Sequence, residues 1–343
     1  MRTSFLCFFL KKMSYYVRES YSNSVPPDVF ITKPSKYDRP VSDLVRDCFS
    51  RWSNRLSMPG VTFAGNIKYV LDAVRSTPDM HSMRSITFRG CKMNDKDIKD
   101  LVDFVCEFPN IKKVEITHRK FTDDSMPDVF RMLQNSSVYH LDFTENKFTE
   151  AGVSILICAI QVSNLTSLDL QGCQFDEVQS AGLLEAIKGL NLTKLNMGRN
   201  TLASYLAMCQ LRDILDKGKL VELEIDKCEL EDRDLDLIAP SISACKELKV
   251  LNINCNLYLS VSAVKRMFTA IGLHPSLVRI CLSGDREFDR KCSELKWEYK
   301  RKLTEARLIV VLLSVRVIER IGCKSLLSKL PNELFRALKV MLF

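Results

Sequence analysis

The sequence predicts an α/β solenoid in which one strand–helix unit recurs along the chain. Three observations predict it. First, a short phrase occurs eight times over residues 83–288. Its first apolar positions are Met83, Ile111, Val138, Leu165, Leu192, Leu220, Leu248 and Leu277, so successive steps are 28, 27, 27, 27, 28, 28 and 29 residues. A fixed period in this range marks stacked supersecondary units. Second, the phrase alternates apolar and polar residues with period two, as a half-buried strand does. Third, the stretch after each phrase carries helical spacing, as in residues 151–160 and 181–187.

Each element of the unit has a physical reason. The phrase is Val138-x-x-Leu141-x-Phe143-x-x-Asn146-x-Phe148 in the third copy and Leu165-x-x-Leu168-x-Leu170-x-x-Cys173-x-Phe175 in the fourth. The fifth runs from Leu192 to Leu202 through Asn200, and the sixth from Leu220 to Leu230 through Cys228. Leu168 and Leu170 should face inward and Asp169 outward. The Asn or Cys should turn the chain, its side chain satisfying backbone groups that have just left the sheet. One strand and one helix cannot bury their apolar faces alone, so stacking must build the core.

This phrase resembles the leucine-rich repeat, and a period of 27 to 29 with a full helix resembles its ribonuclease-inhibitor-like class. The resemblance covers about 200 of the 343 residues. It implies a horseshoe with a concave parallel β-sheet and convex helices, and a solenoid's open ends call for the helical caps read in the flanking segments. Three copies depart from the pattern: Arg119 and Asp285 occupy the turn slot in the second and eighth, and Leu257-Tyr258-Leu259 predicts a wider loop in the seventh.

Four segments follow. Residues 1–40 read as a disordered or targeting arm, with breakers at Pro26, Pro27, Pro34 and Pro40. Residues 41–82 read as a helical N-terminal cap. One helix is expected over 41–56, with Leu44, Val45, Cys48 and Trp52 on one face, and another over 66–75. Residues 83–288 are the eight repeats. Residues 289–343 read as a basic helical cap or docking tail, with long helical spacing over 286–320, a stop at Gly322 and a last amphipathic piece over 326–343.

Composition narrows the function classes. Apolar residues make up 46% and charged residues 27%, a soluble globular profile. None of the 13 cysteines forms a C-x-x-C pair, and scattered thiols at structural positions fit a reducing compartment. A cytoplasmic location is expected. The alternative is mitochondrial, because residues 1–27 hold Arg2, Lys11, Lys12 and Arg18 against one acid, Glu19. Residues 286–343 carry 14 Lys and Arg against 7 Asp and Glu, which concentrates the net charge of +8 at this end. A basic helix can bind nucleic acid or an anionic membrane, but interleaved Glu294, Glu298 and Glu305 favour a solvated outer face. The run from Leu308 to Leu313 is too short to span a bilayer.

No nucleotide-binding, hydrolase or zinc motif occurs, and His81, His118, His140 and His274 lack metal-ligand spacing. The expectation is a monomeric, non-enzymatic interaction scaffold without metal or cofactor, binding a protein partner on its concave face. Neighbouring strands place equivalent slots about 5 Å apart. The candidate binding residues are therefore Lys113, Glu115, His140, Asp142, Asp169, Gln171, Lys194, Asn196, Glu224 and Asn252. A plainer account of the acidic column is solvation of a common repeat phrase. A second expectation comes from the tail, where Leu308, Leu312, Leu330, Pro331, Leu334 and Leu338 resemble the helical boxes by which substrate receptors dock onto ubiquitin ligases. The upstream cysteine of such boxes is missing here.

Overall fold

The computed structural model describes residues 29–30, 49–50, 55–77, 80–117, 121–284 and 286–320, with the side chains of the last helix described through Glu305. The chain opens with β1 (Val29–Phe30), β2 (Phe49–Ser50), β3 (Arg55–Ser57), β4 (Val61–Thr62) and α1 (Ile67–Arg75). Strand and helix then alternate: β5 (Ser85–Arg89), α2 (Asp95–Glu107), β6 (Lys113–Thr117), α3 (Met126–Asn135), β7 (His140–Asp142) and α4 (Glu150–Gln161). They continue through β8 (Ser167–Asp169), α5 (Glu177–Lys188), β9 (Lys194–Asn196), α6 (Tyr205–Asp216), β10 (Glu222–Glu224) and α7 (Asp232–Ala244). Last come β11 (Val250–Asn252), α8 (Val261–Ile271), β12 (Arg279–Cys281) and α9 (Arg286–Arg320).

Among the described residues, nine strands from β3 to β12 form one parallel sheet in which spatial order follows chain order. β2 adds an antiparallel edge beside β3, and β1 pairs with β4 in a separate two-stranded sheet. This arrangement is compatible with a repeat solenoid.

Register follows from the period. Leu56, Ile86, Val114, Leu141, Leu168, Leu195, Leu223 and Leu251 face one another across the strands, each at most 1% exposed. A one-residue slip would turn this column out to solvent, so burial pins the pairing. The helices pack their apolar stripes on the same core; α4 contributes Val153, Leu156, Ala159 and Ile160, and α6 contributes Met208, Leu211 and Leu215. The rings of Phe121, Phe148 and Phe175 stack from unit to unit at centroid separations of 5.3 and 5.7 Å.

The turn slot behaves as its residue types demand. Asn200 is 3% exposed; its Nδ2 donates to the carbonyls of Leu170 (2.8 Å) and Met197 (2.9 Å), and its Oδ1 accepts the Phe175 N–H (3.1 Å). Asn256 repeats this with the carbonyls of Ile225 and Ile253 and the N–H groups of Cys228 and Leu230. Asn146 donates to the carbonyls of Ile116 and Phe143. In the first, fourth and sixth copies a thiol replaces the amide: Cys91 donates to Met58 O, Cys173 to Phe143 O and Cys228 to Met197 O. Burial pushes the Cys91 thiol up to about 11 and that of Cys228 to about 12, which keeps the donor proton in place.

The residue before six of the turn slots lies in the left-handed region: Gly90, Glu145, Gly172, Arg199, Lys227 and Cys255 have φ between 53° and 68°. Only two of the six are glycine, so the other four carry a conformational cost of about 1 kcal/mol or more each. Their N–H groups continue the ladder past the strand ends, as in Glu145 N to Gln171 O at 2.7 Å and Arg199 N to Asp226 O at 2.7 Å.

Helix starts are stitched laterally. Asn94 and Asp97 form a capping box on α2, and buried Asp97 also accepts the N–H groups of Gly65 (2.9 Å) and Ile67 (3.0 Å) at the start of α1. Thr149 caps α4 and bonds Asp123, while Ser260 caps α8 and donates to Asp232 at 2.6 Å.

Two expectations change. The helix expected over 41–56 is corrected, because Phe49–Ser50 and Arg55–Ser57 are strands. Pairing with β5 seats Leu56 in the apolar column at 0% exposure, and that tertiary pairing outweighs the helical spacing. The repeat geometry therefore begins one unit before Met83. Gly60 (φ 69°) fills the left-handed position, and Met58 N and Gly60 N bond Thr87 O and Arg89 O as later units do. Leu56-x-Met58-x-x-Val61-x-Phe63 carries this signal in sequence, with Val in place of Asn or Cys. The helices expected over 66–75, 151–160, 181–187 and 286–320 are present. The wider seventh loop exposes Leu257 (74%) and Tyr258 (68%) while Leu259 returns to the core. Arg119, Asp285, Trp52, Gly322 and the piece over 326–343 lie outside the described residues.

Two stability measurements test the turn. Asn200→Ala leaves two carbonyls and one N–H without their side-chain partner and should cost about 3 kcal/mol in chemical denaturation. Asn200→Cys should cost clearly less, because Cys fills the same slot in three other units. Equal losses would contradict the donor role. Gly90→Ala should cost about 1 kcal/mol from its φ alone, since a Cβ there meets nothing within 4 Å; no loss would contradict a left-handed requirement.

Candidate functional site: the polar face of the sheet

Residues that alternate with the apolar column form the opposite face of the sheet, and register sorts them into rows. The first row is Arg55, Ser85, Lys113, His140, Ser167, Lys194, Glu222, Val250 and Arg279. The second is Ser57, Thr87, Glu115, Asp142, Asp169, Asn196, Glu224, Asn252 and Cys281. The next row holds Arg89 and Thr117, which end β5 and β6, and then Thr144, Gln171, Gly198, Asp226 and Asn254 just past the ends of the shorter strands. Nine of the sequence-predicted residues occupy the first two rows, and Gln171 follows β8 on the same face. The sheet brings all ten together. His118 lies outside the described residues.

The second row has a structural duty that sequence reasoning missed. Asp142 accepts the Thr144 N–H (2.9 Å), Asp169 the Gln171 N–H (3.0 Å), Asn196 the Gly198 N–H (3.0 Å) and Asn252 the Asn254 N–H (3.2 Å). These are Asx turns that end the strands. They give Asp or Asn a reason to sit here beyond solvation. Glu115 and Glu224 cannot make this short bond and are held otherwise.

Glu115 is a buried carboxylate of this face. Its Oε2 accepts Arg55 Nη2 (2.7 Å), Arg89 Nη2 (3.1 Å) and Thr87 Oγ1 (3.1 Å), while Arg55 Nε donates to Thr87 Oγ1 (2.9 Å). Arg55 and Arg89 were absent from the sequence-predicted set. The slot rule that selected Gln171 selects Arg89 in the first copy; Arg55 needed the upstream unit.

His140 Nε2 stands 4.0 Å from Glu115 Oε1, and its Nδ1 lies 2.7 Å from Ser167 Oγ. Burial lowers the His140 pKa and Lys113 adds to the fall, while Glu115 opposes it. Burial raises the Asp169 carboxyl, and neighbouring Asp142 adds to the rise against bonds from Gln171 N–H, Thr144 and Asn196. Asn252 Nδ2 bridges Glu224 and Asp226 at 3.2 Å each, and Lys194 pairs with Glu222 at 2.8 Å.

His274 belongs to the core. Its Nδ1 accepts the Leu277 N–H (3.0 Å), its Nε2 donates to Cys245 O (3.0 Å), and burial lowers its pKa. A hollow of about 170 Å³ between α8, β12 and α9 has apolar walls including Phe268, Leu277 and Leu303. Along the first half of α9, bases sit one turn from acids, as in Glu287–Lys291, Glu298–Lys302 and Arg301–Glu305. Leu308 and Leu312 lie on α9 beyond its described side chains, and Leu330, Pro331, Leu334 and Leu338 lie outside the described residues. Among the described residues no helix is long and apolar enough to cross a membrane, and no group of three or more metal-ligating side chains converges.

The histidines make the fold pH-sensitive in one direction. For both His140 and His274 the folded pKa is depressed below the ordinary 6.5. Each stabilises the fold fully above about 6.5, and the contribution is lost as pH falls from there through the folded value. An NMR titration should place His140 below about 6.5, and Glu115→Gln should lower it further. A value at or above 6.5 would contradict the burial.

Comparison of the chain with protein-family models gives no match, and a search of curated proteins gives no significant relative.

Proposed function

We propose that this chain is a leucine-rich-repeat protein of the ribonuclease-inhibitor-like class, curved as a horseshoe, and that it works as a non-enzymatic scaffold. Its polar sheet face is then the concave surface and receives a protein partner. The observation that carries this reading is the register: polar side chains from nine adjacent strands stand in rows about 5 Å apart on a frame that the core holds rigid. Such a surface offers many polar contacts at fixed spacing, which confers specificity more than raw affinity. The helices are tied to each other by ion pairs such as Arg75–Glu107, Arg131–Asp103 and Arg266–Asp236. That leaves the face free to vary without loosening the array.

The test uses the full chain and a partner recovered by affinity capture. Lys113 and Lys194 are exposed on the face, whereas Arg233 and Lys265 are exposed on α7 and α8. Lys113→Glu with Lys194→Glu should weaken the partner at least about tenfold, with circular dichroism unchanged. Arg233→Glu with Lys265→Glu should change affinity less than about threefold. The reverse order of effects would contradict use of the sheet face.

A further inference from the structure

Charge on the polar face is segregated by strand. On β3, β5 and β6 it holds Arg55, Arg89 and Lys113 against a single carboxylate, Glu115. From β7 to β10 it holds Asp142, Asp169, Glu222, Glu224 and Asp226 against a single lysine, Lys194. That lysine already pairs with Glu222. Asp142, Asp169, Glu224 and Asp226 are bonded only by backbone N–H, hydroxyl or amide groups among the described residues. At the other end two guanidinium groups share one oxygen of Glu115, and more than half of the Arg89 side chain is exposed.

We infer that the partner segment seated on this face is itself charge-ordered: acidic where it crosses β3–β6 and basic where it crosses β7–β10. The inference rests on the scaffold reading above. Its argument is complementarity. Like charges juxtaposed on a partner cost several kcal/mol, and half-buried carboxylates without a cation gain most from one supplied by a ligand. The raised Asp169 carboxyl is in keeping with such an uncompensated position. Five strand steps separate β5 from β10, about 24 Å, which an extended chain spans with about seven or eight residues.

The variants that test this are isosteric. Asn already makes the same turn bond at this slot in Asn196 and Asn252, so Asp142→Asn and Asp169→Asn remove charge while keeping the strand ends. Glu224→Gln completes the set. The probes are two synthetic peptides of about ten residues with one composition, three Glu, four Lys and uncharged spacers, either grouped by sign or alternating. At about 150 mM salt, where charges beyond about 8 Å are screened, the grouped peptide should bind the full chain at least about tenfold tighter than the alternating one. The triple variant should abolish that preference while its thermal unfolding stays unchanged. Equal binding of the two peptides, no binding of the grouped one, or a preference that survives the triple variant overturns the inference. If any of these occurs while Lys113→Glu with Lys194→Glu still releases the captured partner, only the charge order fails. If those reversals release nothing, the scaffold reading fails with it.

Discussion

The structure depends on how each strand lets go of the sheet. When the chain turns from strand to helix it carries two carbonyls into a core that excludes water, and an unpaired carbonyl there costs about 1–3 kcal/mol. In six units one side chain resolves this. Asn146, Asn200 and Asn256 each span two carbonyls, one in their own unit and one in the unit before, and Cys91, Cys173 and Cys228 reach back with a thiol. The bond is therefore also the link between units. The left-handed residue just before it aims the side chain inward, and the array accepts Glu145, Arg199, Lys227 and Cys255 in that strained region to keep the link.

The division of labour in the sheet follows from this link. With the apolar column and the turn slot bound to the core, the polar rows are the positions left to vary. Even there the freedom is partial. Asp142 and Asp169 both end a strand and put a carboxylate on the face: one oxygen makes the Asx turn, and in Asp169 the other accepts Asn196 Nδ2 at 3.0 Å. Asn196 and Asn252 do the structural half of that task without the charge. The difference between Asp and Asn in this row is thus a record of surface chemistry, and the contrast between Glu115, held by two arginines, and Glu224, held by an amide, points the same way.

Much of this was legible in the sequence, for reasons that can be named. Period two over Leu168 and Leu170, repeated at 27 to 29 residues, dictates both the register and the outward slots, so the ten face residues follow from the pattern alone. Regular helices such as α4 and α9 followed from spacing. The unit at Leu56 was hidden because Val61 replaces the Asn or Cys and Ser53 replaces the first apolar residue, leaving a helical stripe as the stronger local signal. Arg55 was missed for the same reason, since its place on the face exists only once β3 joins the sheet. The Asx turns were not legible either: a hydrogen bond to the N–H two residues on needs a strand end, and the period alone does not say where the strand stops.

The most direct test of the account is a carboxyl-labelling footprint of the full chain with and without its captured partner. Asp142, Asp169, Glu224 and Asp226 should lose reactivity on binding, while Glu185, Asp213 and Asp236 on the helices should not change. Protection of the helix carboxylates with the sheet carboxylates left reactive would contradict it.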